Sequence, residues 1–208
     1  MKQQEASRVR DWLTGNLPIL DIGCGIGDFL ADNFGEYDLY GVEPDEYAAN
    51  EARSRGFIQV VGDISELDPR TFQAIIWRGT FQHLDEPMRV LKRCIELLAD
   101  DGVLIFLATP NSNSLFYMLW GDLPALDAPR NYVIPSDTML VNILKNLGMD
   151  AVSVRYPYMG TPYASPIKDF LRFLVGKKTA FPGSMMELYC RKISQQESTK
   201  WVAINDRG

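Results

Sequence analysis

The chain has 208 residues, of which 46% are hydrophobic and 23% charged, and its formal net charge is −6. This length predicts one sizeable domain. The acidic balance argues against a nucleic-acid partner, because phosphate binding requires a basic surface. Three widely spaced cysteines without a Cys-x-x-Cys pair fit neither a disulfide framework nor a zinc or iron–sulfur site.

Apolar runs in the sequence fall short of the roughly 20 residues that a membrane-spanning helix needs. The N-terminal residues also lack the layout of a signal peptide. We therefore expect a cytoplasmic protein without a membrane span. No feature of the sequence predicts the oligomeric state.

A predicted helix opens the chain, and the first predicted strand leads into a glycine-rich turn. Residues 1–16 show a short helical spacing of apolar side chains and are expected to pack at the sheet edge. Residues 17–22 predict a buried strand, and a helix resumes over 27–33. Three alternate glycines lie between them: Gly23, Gly25 and Gly27. Strand, glycine turn and helix in this order form the first unit of a nucleotide-binding α/β sheet. Glycine suits the turn because it lets the backbone bend sharply at positive φ.

The acid that precedes the turn indicates which ligand the turn accepts. Dinucleotide-binding turns follow the pattern Gly-x-Gly-x-x-Gly and direct a helix N-terminus at a pyrophosphate. Here the third glycine comes one residue early, and Asp21 stands just before the turn, where it suits a cationic ligand. For the glycines alone, an ordinary tight β–α turn is the alternative.

A second acid follows the second predicted strand. Residues 38–42 predict this strand, and Glu43 comes 20 residues after Gly23. At that position a carboxylate can accept hydrogen bonds from both hydroxyls of a ribose. The alternative is a surface glutamate ahead of the helix predicted over 44–55, whose start Pro44 also favours.

The turn Asp-x-Gly-x-Gly-x-Gly after an apolar strand resembles motif I of the class I S-adenosylmethionine-dependent methyltransferases. Residues 72–77 predict strand four, and the loop after it carries a His-Leu-x-x-Pro element that begins at His83. A helix follows, and then strand five over 103–108, which closes on Thr-Pro-Asn. These elements resemble the small-molecule branch of that family, and the resemblance covers residues 17–112 well.

The resemblance implies an α/β fold with a Rossmann-like, seven-stranded, mostly parallel sheet in the order 3-2-1-4-5-7-6, strand seven antiparallel and helices on both faces. It implies S-adenosylmethionine as cofactor, S-adenosylhomocysteine as product, and direct methyl transfer to a small-molecule acceptor. The implied cofactor-binding residues lie at and after the ends of the first four strands: Asp21, Gly23, Cys24, Gly25, Gly27, Glu43, Pro44, Asp63, Ile64, Arg78, Gly79 and Phe81.

Some of these residues have alternative interpretations. Strand three, over 57–61, leads to Asp63 and Ile64, which match the family position where an acid accepts the adenine amino group and the next residue packs on the ring. An ordinary turn aspartate is the alternative. Arg78 is also a candidate anchor for a substrate carboxylate or phosphate, or a surface residue. Cys24 is interpreted as a small residue that fits the turn rather than as a nucleophile.

Two roles stay open for His83, the single histidine of the chain. It follows strand four at the carboxyl edge of the predicted sheet, where it can act as general base for an oxygen or nitrogen nucleophile. The alternative is a structural histidine that holds its loop by a hydrogen bond. Trp120, Arg130 and Tyr132 are candidate acceptor-binding residues, and no metal site is expected. Relatives carry Pro-Arg-His near here, whereas residues 129–131 are Pro-Arg-Asn.

The second half of the chain completes the predicted domain. Its elements are helices over 135–147 and 167–175, and strands six and seven over 151–156 and 185–191. We expect one methyltransferase domain over 1–193 and a polar tail over 194–208. Two irregular stretches, 109–135 and 157–183, are long for a compact domain and predict substrate-binding or lid insertions.

Two other functions stay open at this point. A catalytically silent methyltransferase fold can serve as a binding module, although an intact motif I together with Glu43 and Asp63 speaks against it. A nicotinamide-dependent oxidoreductase shares the strand, turn and acid. That class needs Gly-x-Gly-x-x-Gly and a catalytic set such as Tyr-x-x-x-Lys, which the sequence lacks.

Overall fold

The computed structural model describes residues 1–123, 131–158, 165–177 and 183–192, which form a seven-stranded sheet with helices on both faces. The strands are β1 Ile19–Ile22, β2 Leu39–Val42, β3 Gln59–Val61, β4 Phe72–Arg78, β5 Leu98–Pro110, β6 Met149–Arg155 and β7 Met185–Lys192. The helices are α1 Lys2–Arg10, α2 Asp28–Phe34, α3 Glu46–Ser54, α4 Pro87–Leu97, α5 Leu115–Trp120, α6 Asp137–Asn146 and α7 Pro166–Leu174.

The strand order is β3-β2-β1-β4-β5-β7-β6, which confirms the predicted topology. Strand β1 pairs in parallel with β2 on one side and with β4 on the other. Strand β7 runs antiparallel to both β5 and β6. The order therefore reverses between β1 and β4, and in such sheets a ligand crevice opens at the carboxyl ends of these strands.

Helices cover both faces of the sheet, so its central strands are buried on both sides and read as continuous apolar runs. In β4, Ala74 and Ile76 pack on the side of α1, α2 and α3. Ile75 and Trp77 pack on the opposite side, against α4 and α6. The alternation of side chains along a strand thus supplies both cores from one segment.

Side-chain caps set the starts of three helices, and at α5 the Ser114 hydroxyl accepts from the Tyr117 N–H at 3.3 Å. The Asp45 carboxylate accepts a hydrogen bond from the Ala48 N–H at 2.8 Å and begins α3. The Ser136 hydroxyl accepts one from the Met139 N–H at 3.1 Å and begins α6. Helix α4 begins at Pro87, a residue whose fixed φ suits the first helical position.

Three elements differ from the sequence-based expectation. Helix α1 packs on the sheet face rather than at its edge, because Ala6 and Val9 are buried in the same core as β4 and β5. Strand β5 begins early, since Leu98 pairs with Phe72 ahead of an irregularity in register. The stretch 109–135 contains the helix α5, which is too short for its period to stand out in the sequence.

Some predictions fall on residues outside the described ranges. These are Arg130, the tail at 194–208, and parts of the two expected insertions. The division into one domain and a tail therefore stays a prediction. In the described part of the chain, no helix combines the length and apolar character needed to cross a membrane.

Candidate active site

A cleft of about 480 Å³ opens at the carboxyl ends of β1 to β4, where the strand order reverses. Most of the predicted cofactor residues that follow these strands meet in its wall. They are Gly23, Glu43, Pro44, Asp63, Ile64, Arg78 and Gly79, and they are joined by His83. Thr80, Leu84, Asp85, Arg89 and Val90 also line the cleft, although the sequence did not single them out.

The three glycines of the turn serve two different purposes. At Gly23, whose φ is +73°, an added Cβ would lie 2.6 Å from a side-chain atom of Thr80. At Gly27, with φ +77°, it would lie 2.7 Å from the ring of Phe57. At Gly25, with φ +55°, no atom of the described structure lies within 4 Å of that position. The first and third glycines therefore permit close packing, whereas the middle one leaves a cradle open to a ligand.

Asp21 is a buried acid without a complete set of partners. It is 2% exposed, it does not line the cleft, and its Oδ1 has no hydrogen-bond partner among the described residues. Burial raises the pKa of this carboxyl group to about 8, and the positive charge of Arg78 opposes the rise. An orphaned buried carboxyl oxygen calls for an explanation. An ammonium or sulfonium from a ligand would provide the missing counter-charge, so Asp21 fits the expected cofactor.

Glu43 is held in place by backbone donors at the end of β2. Its Oε2 accepts from the Gly25 N–H at 2.9 Å, and its Oε1 accepts from the Asp45 N–H at 3.0 Å. A carboxylate has about four lone-pair sites, so each oxygen keeps capacity for another donor. The geometry fits two neighbouring hydroxyl groups, as the predicted ribose contact requires.

Asp63 differs from Glu43 because one of its oxygens is already saturated. Its Oδ1 accepts from Arg89 Nη1 at 3.1 Å and from the N–H and hydroxyl of Ser65 at 2.9 and 2.7 Å. Its Oδ2 accepts only from Arg89 Nη2, at 2.6 Å, within the described residues. The Arg89 guanidinium and Ser65 hold the pKa of this carboxyl well below its usual range. Oδ2 is therefore the oxygen that can accept a further donor such as an adenine amino group.

Arg78 lines the cleft and is tied to α1 by a buried acid. Its Nε donates to Glu5 Oε2 at 2.9 Å, and Glu5 is fully buried. The Arg78 side chain, 21% exposed, is therefore held in the cleft wall by an ion pair with a buried acid. The Glu5 side chain lies on the face of α1 that packs on the sheet, which is why a charged residue of this helix reaches the end of β4.

The same acid belongs to a larger buried network. The Tyr158 hydroxyl lies 3.1 Å from Glu5 Oε1 and 3.1 Å from Glu187 Oε1, and it accepts from the Ala108 N–H at 2.6 Å. Ala108 has a φ of +46° at the end of β5, where pairing with β7 is irregular. Arg8 donates twice to Glu187, at 2.8 and 2.5 Å. The network thus joins α1, β5 and β7 beside the cleft.

His83 lies in a 3₁₀ turn, Phe81–His83, at the cleft wall. Its Nε2 is 3.2 Å from Nε2 of Gln82, whose amide also donates to the Gly79 carbonyl at 2.8 Å. An amide nitrogen only donates, so this contact favours the tautomer with the ring proton on Nδ1. Phe81 does not line the cleft: it is 2% exposed and packs on the rings of Trp77 and Phe106. Phe81 therefore belongs to the hydrophobic core and does not make the expected contact with the cofactor.

The remaining candidates lie away from the cleft wall. Cys24 is buried against Gly41, and burial raises the pKa of its thiol, which makes it a poor nucleophile. Trp120 packs on Phe116 within α5, with ring centroids 4.6 Å apart. Tyr132 is 67% exposed, and its N–H donates to the Gln82 carbonyl at 2.8 Å.

Two charged residues that shape the cleft were missed by sequence reasoning. Arg89 is 26 residues from Asp63, and Glu5 is 73 residues from Arg78. The sequence contains no local signal for pairs so far apart. The i, i+4 spacing of Glu5 and Val9 is the signal that could have placed Glu5 on the inner face of α1. Among the described residues, no group of three or more His, Cys, Asp or Glu side chains is arranged to hold a metal ion.

Comparison with known sequences gives matches over much of this region. A family model described as a methyltransferase domain matches residues 3–154. A ubiquinone biosynthesis O-methyltransferase of Neisseria meningitidis is 26% identical over 113 residues, which cover 48% of this chain and 47% of that protein. The chain thus spans about half the length of this curated relative.

Solved structures resemble nearly the whole chain. A methyltransferase of Thermotoga maritima, described as a possible histamine N-methyltransferase, superposes with a TM-score of 0.65 at 20% identity, over 92% of this chain and 89% of that one. Magnesium protoporphyrin IX methyltransferase of Synechocystis, solved with bound S-adenosylhomocysteine, gives 0.62 at 16% identity, over 92% and 83%. At these identities the likeness shows a shared fold.

Proposed function

The chain belongs to the S-adenosylmethionine-dependent methyltransferase family, and on that premise we propose that it transfers a methyl group from S-adenosylmethionine to a small-molecule acceptor. The observation that carries the proposal is the Glu43 carboxylate in the cleft wall, held by two backbone N–H groups with lone pairs left for a ribose. This arrangement is preorganised, so ligand binding requires little ordering of the side chain.

The other polar groups around the cleft suit the rest of this cofactor. Asp21 would balance the positive charge of the methionine end, with Arg78 available for its carboxylate. The cradle at Gly25 admits the ligand against the backbone, with Gly23 and Gly27 shaping the turn. Asp63 would receive the adenine amino group at Oδ2, and Ile64 and Pro44 offer apolar contacts in the cleft wall.

Bound S-adenosylmethionine would supply an electrophilic methyl carbon, to which an acceptor oxygen or nitrogen bonds as the S–CH3 bond breaks and S-adenosylhomocysteine leaves. The chain's part is then to hold the two reactants in line, and positioning of this kind is worth effective molarities of about 10⁵–10⁸ M. We assign proton removal from the acceptor to His83, because it is the histidine of the cleft wall. Its contact with Gln82 supports the competing structural role, so the two need a direct test.

The acceptor side of the proposal rests on fewer contacts. Tyr132 is attached to Gln82, next to His83, and is proposed to border the acceptor. Trp120 and Arg130 stay candidates, the first packed within α5 and the second outside the described ranges. We place the protein in a reducing compartment such as the cytoplasm, because its three cysteines are free and buried. The acidic net charge of the chain favours a small-molecule acceptor over nucleic acid.

The test is calorimetric titration of the chain with S-adenosylhomocysteine and, separately, with NADH. We expect micromolar binding of the first and none of the second. Glu43→Ala should weaken binding by about 1–3 kcal/mol through the lost ribose hydrogen bonds. Glu46→Ala removes an exposed acid three residues along and should leave affinity unchanged. Equal affinities of the two variants would contradict the Glu43 assignment.

His83→Ala addresses catalysis separately, with an acceptor found by screening. If His83 is the base, turnover should fall by about 10²–10⁴-fold, whereas affinity for S-adenosylhomocysteine should hardly change. An unchanged rate would make His83 structural. Cofactor binding without methyl transfer to any acceptor would favour the silent binding module.

A further inference from the structure

Helix α7 carries a stripe of exposed apolar side chains. Ile167, Phe170, Leu171 and Leu174 follow the spacing i, i+3, i+4 and i+7, which places them on one side of a helix. Their exposed fractions lie between 59% and 78%. Side chains of this size at this spacing are usually buried against a protein core. Here they face solvent instead.

The other two sides of α7 show how it is oriented. Asp169 is 3% exposed and accepts from the Ser165 N–H at 2.7 Å. Phe173, one turn further on, lies 6.2 Å from the ring of Trp120. The Asp169 bond closes the helix's own first turn, whereas Phe173 contacts α5; with Asp169 buried on the same side, the apolar stripe lies on a different side of α7. Lys168 and Arg172, also one turn apart, form an exposed basic stripe.

Helix α5 carries a second exposed apolar stripe. Leu115, Met118 and Leu119 follow the spacing i, i+3 and i+4 and are 50%, 66% and 52% exposed. Phe116 and Trp120 lie on the inner side, in contact with each other. The two helices are in contact through the rings of Trp120 and Phe173. We call their two exposed stripes together the apolar platform; its members are Leu115, Met118, Leu119, Ile167, Phe170, Leu171 and Leu174. Because α5 follows the carboxyl end of β5, the α5 part lies towards the sheet edge that carries the cleft.

We propose that the apolar platform docks on the surface of a membrane that contains anionic lipids. The charge distribution supports this occupant. The chain as a whole has a net charge of −6, yet the cations Lys168, Arg172 and Lys177 lie exposed on or next to α7 and pair with no carboxylate among the described residues. An apolar stripe beside a basic stripe is the pattern of helices that lie in the lipid interface.

A second copy of the chain is a poorer occupant for the platform. In a two-fold contact the same patch meets itself, so the cations of both copies would gather at one interface. Neither α5 nor α7 offers an exposed carboxylate to balance them, since Asp169 is buried. Anionic headgroups would supply that counter-charge, and the apolar stripe would enter the acyl boundary without crossing the bilayer.

Vesicle flotation of the full chain tests this proposal without any methyl acceptor. We expect the protein to float with vesicles of phosphatidylcholine and phosphatidylglycerol, and to bind pure phosphatidylcholine at least 10-fold more weakly. Leu171→Glu/Leu174→Glu should abolish flotation. Lys168→Glu/Arg172→Glu should weaken it about 10-fold or more, because each cation near an anionic surface contributes to binding.

Matched controls keep the result specific to the platform. Ile58→Glu alters an apolar side chain of similar exposure (57%) between α3 and β3, and Lys92→Glu reverses an exposed charge on α4. Both should float like the parent chain. Failure of the parent chain to bind either vesicle, or equal losses in the controls, would overturn the proposal. So would a dimer in sedimentation equilibrium that only the platform variants dissociate. Since S-adenosylhomocysteine binding is measured separately, failure here leaves the proposed methyl transfer intact.

Discussion

Two buried acidic regions on either side of Arg78 have opposite hydrogen-bonding states. Under α1, Glu5 and Glu187 are fully buried, and both carboxylates have cationic and hydroxyl partners. At the end of β1, Asp21 is almost as deeply buried, yet one of its oxygens has no partner among the described residues. The acids of both regions are therefore buried to a similar extent, but they differ in whether their oxygens have hydrogen-bond partners.

Under the proposed function, this difference separates structural acids from the acid that is proposed to face the ligand. A satisfied buried network rigidifies the fold, and its members depend on one another. An unsatisfied buried carboxyl group destabilises the free protein, and a cationic ligand can recover that free energy. The predictions below test whether the two regions behave in these opposite ways.

The largest effect is expected at Glu187. Glu187→Ala should lower the free energy of unfolding by about 3–5 kcal/mol, because it leaves the Arg8 guanidinium and two tyrosine hydroxyls without their shared acceptor. Urea denaturation measures this loss. Glu36→Ala breaks an exposed pair with Arg10 and should lower stability by about 0–1 kcal/mol. Similar losses in both variants would mean that the network is not a unit of stability.

Asp21→Asn should raise the free energy of unfolding, whereas Glu187→Ala lowers it. Because burial raises the pKa of Asp21 to about 8, the folded chain holds a proton that the unfolded chain releases above about pH 4. Stability of the parent chain therefore falls as the pH rises between these values, and the variant is free of this loss. We expect the variant to be about 2 kcal/mol more stable at pH 8. The gain should shrink towards pH 4.

Thermal unfolding from pH 4 to pH 8 measures the Asp21 effect, and calorimetry measures its consequence for the ligand. At pH 8 and above, where the Asp21 carboxyl of the parent ionises, the same variant should bind S-adenosylmethionine more weakly, since its side chain offers no negative charge. A variant that is less stable than the parent at pH 8, or that binds equally well, would remove the distinction between the two regions.

The smallest effect is expected for Tyr158→Phe. The variant loses the hydroxyl between Glu5 and Glu187 and the acceptor of the Ala108 N–H, but both acids keep their arginine partners. We expect a loss of about 1–2 kcal/mol in the free energy of unfolding, since the hydroxyl donates one hydrogen bond and accepts another. A loss as large as that of Glu187→Ala would show that the tyrosine, rather than the ion pairs, holds the network together.

Much of the cofactor side was predictable because its signals are local. The turn at Gly23, Gly25 and Gly27 needs positive φ, and an acid at the end of β2 can bond to that turn directly. The strand order followed from the family resemblance that these residues carry, and the structure confirms it. For Asp21, the sequence indicated an acid that suits a cation, and its missing partner is what the structure adds.

The sequence by itself determined the order of the elements and the polar groups at the ends of β1 and β2, because periodicity, glycine turns and helix caps act over a few residues. Only the tertiary structure decided which charges meet across the fold: Arg89 with Asp63, Glu5 with Arg78, and Arg8 with Glu187. It also placed Phe81 in the core and the apolar residues of α7 on the surface. These outcomes depend on how distant segments pack, since a side chain's partner is set by whichever segment lies opposite it in space.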